Sequence, residues 1–209
     1  FRLQLKRQTA WIGPGARCQQ GRIAVAHIVG TVQPVTPQAV VIGASAGALE
    51  ALTAILPSLP EHFPLPLMVV VHMPADKPSL LAELFQAKCR IQVREAEDKE
   101  PVSGGTAYFA PPDYHLLVEA DRSLSLSNDE PVLHSRPSID VLFESAADAY
   151  GPALIAIVLS GANHDGAAGL KAVSEAGGIA IVQSPKGAFA ATMPEEIRRL
   201  GPMRFDRFM

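Results

Sequence analysis

Two cysteines, Cys18 and Cys89, in 209 residues are too few for a disulfide framework, so a reducing, cytoplasmic setting is expected. No run of about 18 uninterrupted apolar residues occurs, which excludes membrane insertion through a spanning helix. Charged residues are only 19% and the net charge is −3, so the chain has no overall basic field with which to hold nucleic acid. Neither H-x-x-x-H nor C-x-x-C spacing is present, and Cys89 has no histidine near it in sequence, so neither a metal nor any other cofactor is expected. Aromatics are scarce at 6%, yet 48% of residues are apolar, enough to bury the core of one sizeable domain.

The first 38 residues differ from the rest. They carry Arg2, Lys6, Arg7, Arg17 and Arg22 and no acid, which leaves thirteen bases against 21 acids in the remainder. Residues 1–38 are read as a basic, flexible, functionally inert lead. The alternatives are a cover over the site or an added edge strand through Ile23–Val29. Residues 39–209 form the expected catalytic domain. Apolar runs at 39–42, 67–71, 154–159 and 179–183 alternate with amphipathic stretches at 49–56, 79–87, 137–150, 166–176 and 194–200. That rhythm predicts an α/β fold with a doubly wound, mostly parallel sheet, Rossmann-like and three-layered. Between 91 and 128 four short runs, parted by Gly104-Gly105, Pro111-Pro112-Asp113 and Asp121-Arg122, predict an inserted antiparallel β-ribbon. The acidic run Glu95–Glu100 is read as a solvated turn.

Open parallel sheets bind ligands beyond the carboxyl ends of their strands. Three residues with complementary chemistry occupy such positions: Ser45 three residues past Ile42, His72 directly after Val71, and Asp165 six residues past Leu159. A serine hydroxyl needs an imidazole to take its proton, and the imidazole needs a carboxylate to hold its tautomer. Ser45 lies in Gly43-Ala44-Ser45-Ala46-Gly47, a G-x-S-x-G pattern between a strand and a helix, where the backbone N–H groups of Ala46 and Gly47 could meet an oxyanion. Other readings stand beside this one: Ser45 as an N-cap or part of a degenerate dinucleotide loop, His72 as a core histidine, Asp165 as an N-cap carboxylate. The remaining histidines, among them His115 and His134, are read as solvated.

Six blocks in order carry a resemblance. They are Val41–Gly47 with Glu50-Ala51-Leu52, His72-Met73-Pro74, Tyr108–Leu116, Arg136–Asp140, Leu159-Ser160-Gly161 through Asp165–Leu170, and Met193-Pro194. From about Ala39 onward the chain resembles the catalytic domain of CheB-type chemotaxis receptor methylesterases. The resemblance implies a catalytic triad of Ser45, His72 and Asp165, an oxyanion contribution near Ala162, and a methyl-accepting chemotaxis receptor as protein substrate. It also implies substrate contacts at Arg136 and Ser138, with a structural donor role as the alternative for Arg136. Three positions depart from the family pattern: Ala48 stands for a glycine, and Ala162 and Asn163 for a Met-Gly pair. The family's regulated members carry a phosphoryl-receiver domain, which 38 residues without a carboxylate cannot form. A stand-alone or truncated enzyme, competent without phosphorylation, is therefore expected.

The expected reaction is hydrolysis of glutamate γ-methyl esters, with deamidation of receptor glutamines as a second activity. Two other functions compete. An α/β-hydrolase acting on small esters would place its histidine last, and no histidine follows Asp165. A non-catalytic nucleotide-binding signalling module would need three loop glycines and an acid ending the second strand, where His72 stands. The receptor, the mode of regulation and the oligomeric state are not specified by the sequence.

Overall fold

A computed structural model describes residues 35–73, 79–199 and 206–207. The basic lead up to residue 34, the run Ile23–Val29 and Pro74 of the His-Met-Pro block lie outside the described residues.

The first strand, β1 (Ala39–Ala44), is buried along its whole length, as expected of a central strand covered on both faces. It leads through a tight turn into α1 (Ala48–Ile55), and then come β2 (Leu67–Val71) and α2 (Leu81–Gln86). The chain continues through β3 (Gln92–Glu95), β4 (Thr106–Phe109), β5 (His115–Val118) and β6 (Leu124–Ser127). After α3 (Ile139–Tyr150) follow β7 (Leu154–Val158), α4 (Ala167–Glu175), β8 (Ile179–Val182), α5 (Thr192–Arg199) and β9 (Asp206–Arg207). The main sheet has the order β3-β4-β2-β1-β7-β8-β9, and every pairing in it is parallel.

Alternate residues of β1 face opposite layers. Ala39 and Val41 pack with Met68, Val70, Leu142, Phe143 and Leu170, on the side covered by α3, α4 and the β5–β6 hairpin. Val40 and Ile42 pack with Leu52, Leu56, Val69 and Phe85, on the side of α1 and α2. The period-two alternation of a strand thus builds the three-layer, doubly wound arrangement expected from the apolar rhythm. In α1 the inward residues are Ala48 and Leu52, with Leu56 buried just past its end, whereas Leu49, expected on the same face, is 51% exposed.

One expectation is corrected. Of the four short runs, β5 and β6 form the antiparallel ribbon, while β3 and β4 are parallel and extend the main sheet. The chain between them returns through residues 96–105 without a helix, its backbone held against β6 and the turn before it by Lys99 N–H to the Leu124 carbonyl and Leu124 N–H to the Glu100 carbonyl. Parallel neighbours usually need a longer, helical crossover, so two short runs parted by Gly-Gly read as a hairpin. The acidic run is also less solvated than expected: Glu100 is 9% exposed, pairs with Arg94 and accepts from the Glu97 N–H.

The direction of winding reverses at β1. From it the chain builds outward to β2 and later returns to β7 on the other side, which leaves a crevice beyond the carboxyl ends of β1, β2 and β7. Gly43 lets the neighbouring helix close onto that rim, because a Cβ there would come within 2.3 Å of Ile139 Cγ2 at the start of α3.

Candidate active site

Register brings Ser45 and His72 to the same height. Ala44 pairs with Val71, and the His72 N–H donates to the Ala44 carbonyl at 3.1 Å, so the two residues leave adjacent strands one step further on. On the other flank of β1, Ser45 N–H donates to the Ser160 carbonyl at 2.9 Å, which ties the serine to the end of β7. The loop after β7 then delivers Asp165. Its Oδ2 lies 2.7 Å from His72 Nε2, and the carboxylate is fully buried.

Asp165 is held at the N-terminus of α3. Oδ2 also accepts from the Ile139 N–H at 2.7 Å, and Oδ1 accepts from the Asp140 N–H at 2.9 Å and the Ser138 hydroxyl at 2.8 Å. These are the first groups of a helix, where unpaired N–H donors and the helix dipole favour an anion. Burial pushes the carboxyl upward, but the hydrogen bonds from His72, Asp140 and Ile139 outweigh it and hold Asp165 below the usual carboxylate range. Ser138, expected among the substrate contacts, is wholly buried as the N-cap of α3 and serves the carboxylate instead. Its N–H donates to Nδ1 of His115 at 3.1 Å, and His115 Nε2 reaches the Glu130 carbonyl at 3.2 Å. His115 is thus buried, at 2% exposure, and not solvated as its place on a predicted ribbon suggested.

Asp140, in the first turn of the same helix, is a second buried acid. Burial drives its carboxyl up to about 6, the Gly169 N–H at 2.6 Å pulls against that, and the charge of Asp165 pushes it up again.

The turn that carries Ser45 is built differently. Gly47 caps α1 with φ of 84°, a left-handed conformation in which a Cβ would lie 2.5 Å from Phe189 Cβ and 2.9 Å from Ser160 Oγ. Ser160 Oγ donates to the Ala46 carbonyl at 2.6 Å and accepts from the Ala190 N–H at 2.8 Å, pinning the turn from behind. Among the described residues the N–H groups of Ala46, Gly47 and Ala162 have no protein acceptor. They remain available to a negative oxygen arriving next to Ser45.

The second nitrogen of His72 is not bonded to Ser45. Nδ1 faces the side-chain amide of Asn163, whose Nδ2 lies 3.1 Å away. Beside His72 opens a cleft of about 360 Å³ lined by Met73, Asp113, His134, Ser135, Arg136 and Pro137. Arg136 borders it, but its guanidinium is engaged: Nε and Nη2 donate to Asp113, and Nη1 donates to the carbonyls of Asn128 and Asp129. Four residues that sequence reasoning did not assign to the site therefore belong to it: Ser160, Asn163, His115 and Asp140. Their signal was weak. Each is a common polar residue, and only its position after a strand or at a helix start hinted at a role.

Residues 40–205 match the sequence profile of a family described as CheB methylesterase. A Leptospira interrogans protein bearing the name protein-glutamate methylesterase/protein-glutamine glutaminase is 48% identical over 157 residues, covering 75% of this chain and 81% of the relative. A Bradyrhizobium diazoefficiens protein-glutamate methylesterase/protein-glutamine glutaminase of the group 3 operon is 38% identical over 172 residues, 81% of this chain but 47% of that protein. The crystal structure of the Thermotoga maritima CheB methylesterase catalytic domain superposes with a TM-score of 0.78 at 33% identity, covering 83% of this chain and 93% of that one.

Proposed function

The chain belongs to the CheB methylesterase family, and from that membership and the geometry of the rim we propose that it is a protein-glutamate methylesterase acting through Ser45, His72 and Asp165. The proposed substrate is a methyl-accepting chemotaxis receptor, and the names of the relatives, which pair glutamate methylesterase with glutamine glutaminase, support protein glutamine as a second substrate. The observation that carries this reading is the 2.7 Å contact between His72 Nε2 and the buried, anionic Asp165, at a strand end level with Ser45.

Asp165 accepts a hydrogen bond from the Nε2 proton and keeps that proton on the ring, which leaves the Nδ1 lone pair as the base. The Ser45 hydroxyl gives its proton to Nδ1 while Oγ bonds to the ester carbon, and the carbonyl oxygen becomes an oxyanion facing the N–H groups of Ala46, Gly47 and Ala162. Collapse breaks the bond to the methoxy oxygen. The imidazolium returns its proton there, methanol leaves and an acyl-serine remains. Water then repeats the sequence, giving its proton to His72, and the glutamate carboxylate is released with Ser45 restored. With glutamine as substrate the same steps release ammonia. As imidazolium forms, it faces the negative charge of the fully buried Asp165, where the low local dielectric strengthens the attraction.

Methanol release from methylated receptor is the test. Ser45→Ala and His72→Ala should each lower turnover by on the order of ten-thousandfold or more with little change in melting temperature. Near-normal release from either variant overturns the assignment.

A further inference from the structure

His72 is gripped at both ring nitrogens by one loop. Asp165 takes Nε2, and Asn163, two residues earlier, presents its amide Nδ2 to Nδ1 at 3.1 Å. An imidazole nitrogen without a proton has one lone pair in the ring plane and accepts one strong hydrogen bond at a time. Asn163 therefore occupies the lone pair through which Ser45 would be activated, and no hydrogen bond joins Ser45 Oγ to His72 among the described residues. The other hydrogen of Nδ2 is directed at Ser135 Oγ, 3.5 Å away, and Ser135 lines the cleft beside His72. On its far side the amide is unsupported: Asn163 Oδ1 is buried with no hydrogen-bond partner. The contact to His72 is thus held from one side only, by a group that also touches the cleft wall.

We propose that Asn163 is a positioning residue that latches the free nitrogen of His72 when the cleft is empty, holding the tautomer required of a base while withholding that base from Ser45. Filling of the cleft at Ser135 by the receptor segment releases it. The inference rests on the reading of Ser45, His72 and Asp165 as a triad. In the closed state the amide donates to Nδ1, so the ring proton stays on Nε2 against Asp165 and no tautomer exchange is needed when the substrate arrives. In the open state the amide turns away, Oδ1 leaves its unpaired site, and the Nδ1 lone pair is free for the Ser45 hydroxyl. A ligand too small to engage Ser135 meets the closed state. Its reaction at Ser45 is scaled down to the fraction of time the latch is open.

The test compares the full chain with Asn163→Ala, Asn163→Asp and Ser45→Ala, using labelling by a small alkyl fluorophosphonate and methanol release from methylated receptor. Asn163→Ala should be labelled about five- to tenfold faster than wild type, the worth of one hydrogen bond. For the receptor, which opens the latch by binding, it should lower KM with kcat changed by less than about twofold. Asn163→Asp has the same shape but cannot donate. It draws a proton onto Nδ1 and should be labelled more slowly than wild type. The imidazole ¹⁵N spectrum gives a readout independent of turnover: Nδ1 should lose its hydrogen bond in the Ala variant and gain a proton in the Asp variant. Labelling that falls in both variants, or stays at the wild-type rate in both, overturns the latch, provided Ser45→Ala abolishes labelling. Labelling that survives Ser45→Ala, or is absent from wild type and Asn163→Ala alike, overturns the triad reading and the latch with it.

Discussion

Two helix N-termini meet at the rim of this sheet, and they are prepared in opposite ways. The start of α3 is full: its cap is a serine, its first N–H groups point into the interior, and a permanent anion, the Asp165 carboxylate, sits on them. The start of α1 is open: its cap is a left-handed glycine with no side chain, and the N–H groups of Ala46 and Gly47 have no protein acceptor among the described residues. The same backbone chemistry serves both. At α3 it stabilises a charge that is always present, whereas at α1, on the proposed mechanism, it is kept for a charge that exists only while an ester is being cleaved. Preorganised donors help catalysis most when they are left unsatisfied in the resting protein, and Gly47 meets that condition by offering no side-chain oxygen.

Asp165→Asn breaks the filled end and should have the largest effect of the changes to the two helix starts. The amide can still receive from the α3 backbone through its oxygen, but its NH₂ group faces His72 with the wrong polarity and disturbs the tautomer. Turnover should fall on the order of a thousandfold while the fold persists, as measured by methanol release beside a melting curve. Wild-type turnover in this variant would mean that the carboxylate only caps α3.

Asp140 offers a sharper test because it shares the first turn with the stabilised anion yet is not stabilised itself. Its carboxyl sits at about 6, above its ordinary 3.8, so the folded protein binds this proton more tightly than the unfolded chain does. Stability from this group is complete below the ordinary value and falls as pH rises toward about 6, by up to about 3 kcal/mol. Asp165 has the opposite sign. Its stabilisation is complete above the ordinary carboxylate value and is lost only as pH falls through its lowered folded value. Denaturation of wild type and Asp140→Asn at about pH 4 and about pH 6.5 should therefore show the wild type losing more stability across that window. Equal losses would place the Asp140 proton elsewhere.

Gly47→Ala perturbs the open end. A left-handed alanine costs about 1–2 kcal/mol, and its Cβ collides with Phe189 and Ser160, so a further loss is expected as the turn shifts. Turnover should fall more than stability, because the displaced turn carries both Ser45 and its donors; a loss confined to the melting temperature would detach Gly47 from catalysis. Ser138→Ala should have the smallest effect: about 1 kcal/mol for the lost cap, with a modest fall in kcat from the Asp165 hydrogen bond that goes with it. An unchanged kcat would make Ser138 a cap and nothing more.

Much of the candidate site was legible because strand ends announce themselves. Ser45, His72 and Asp165 each follow an apolar run too short and too uniform to be a surface helix, and in a parallel sheet such positions share one rim. Asn163 was visible only as a departure from a pattern. That its amide faces Nδ1 depends on how the loop after β7 folds back over β2, a contact between residues 91 apart in sequence. His115 was misread as solvated because alternation along a short strand shows which residues share a face but not what covers that face, and here α3 covers it. The β3–β4 pair was misread for a related reason. Two brief apolar runs with glycines between them fit a hairpin and a parallel pair equally well, and the choice is made by where β2 offers a free edge.

The amino-acid sequence by itself determined the period of the apolar residues, hence the layers of the fold, and the residue types at the strand ends, hence the class of chemistry, since both depend on short-range spacing. Tertiary structure alone decided which helix N-terminus receives an anion, which nitrogen of His72 is free and what occupies it. Those outcomes turn on distances of about 3 Å between segments that local propensity cannot bring together, and they are set only when the sheet is assembled and its loops have closed over the rim.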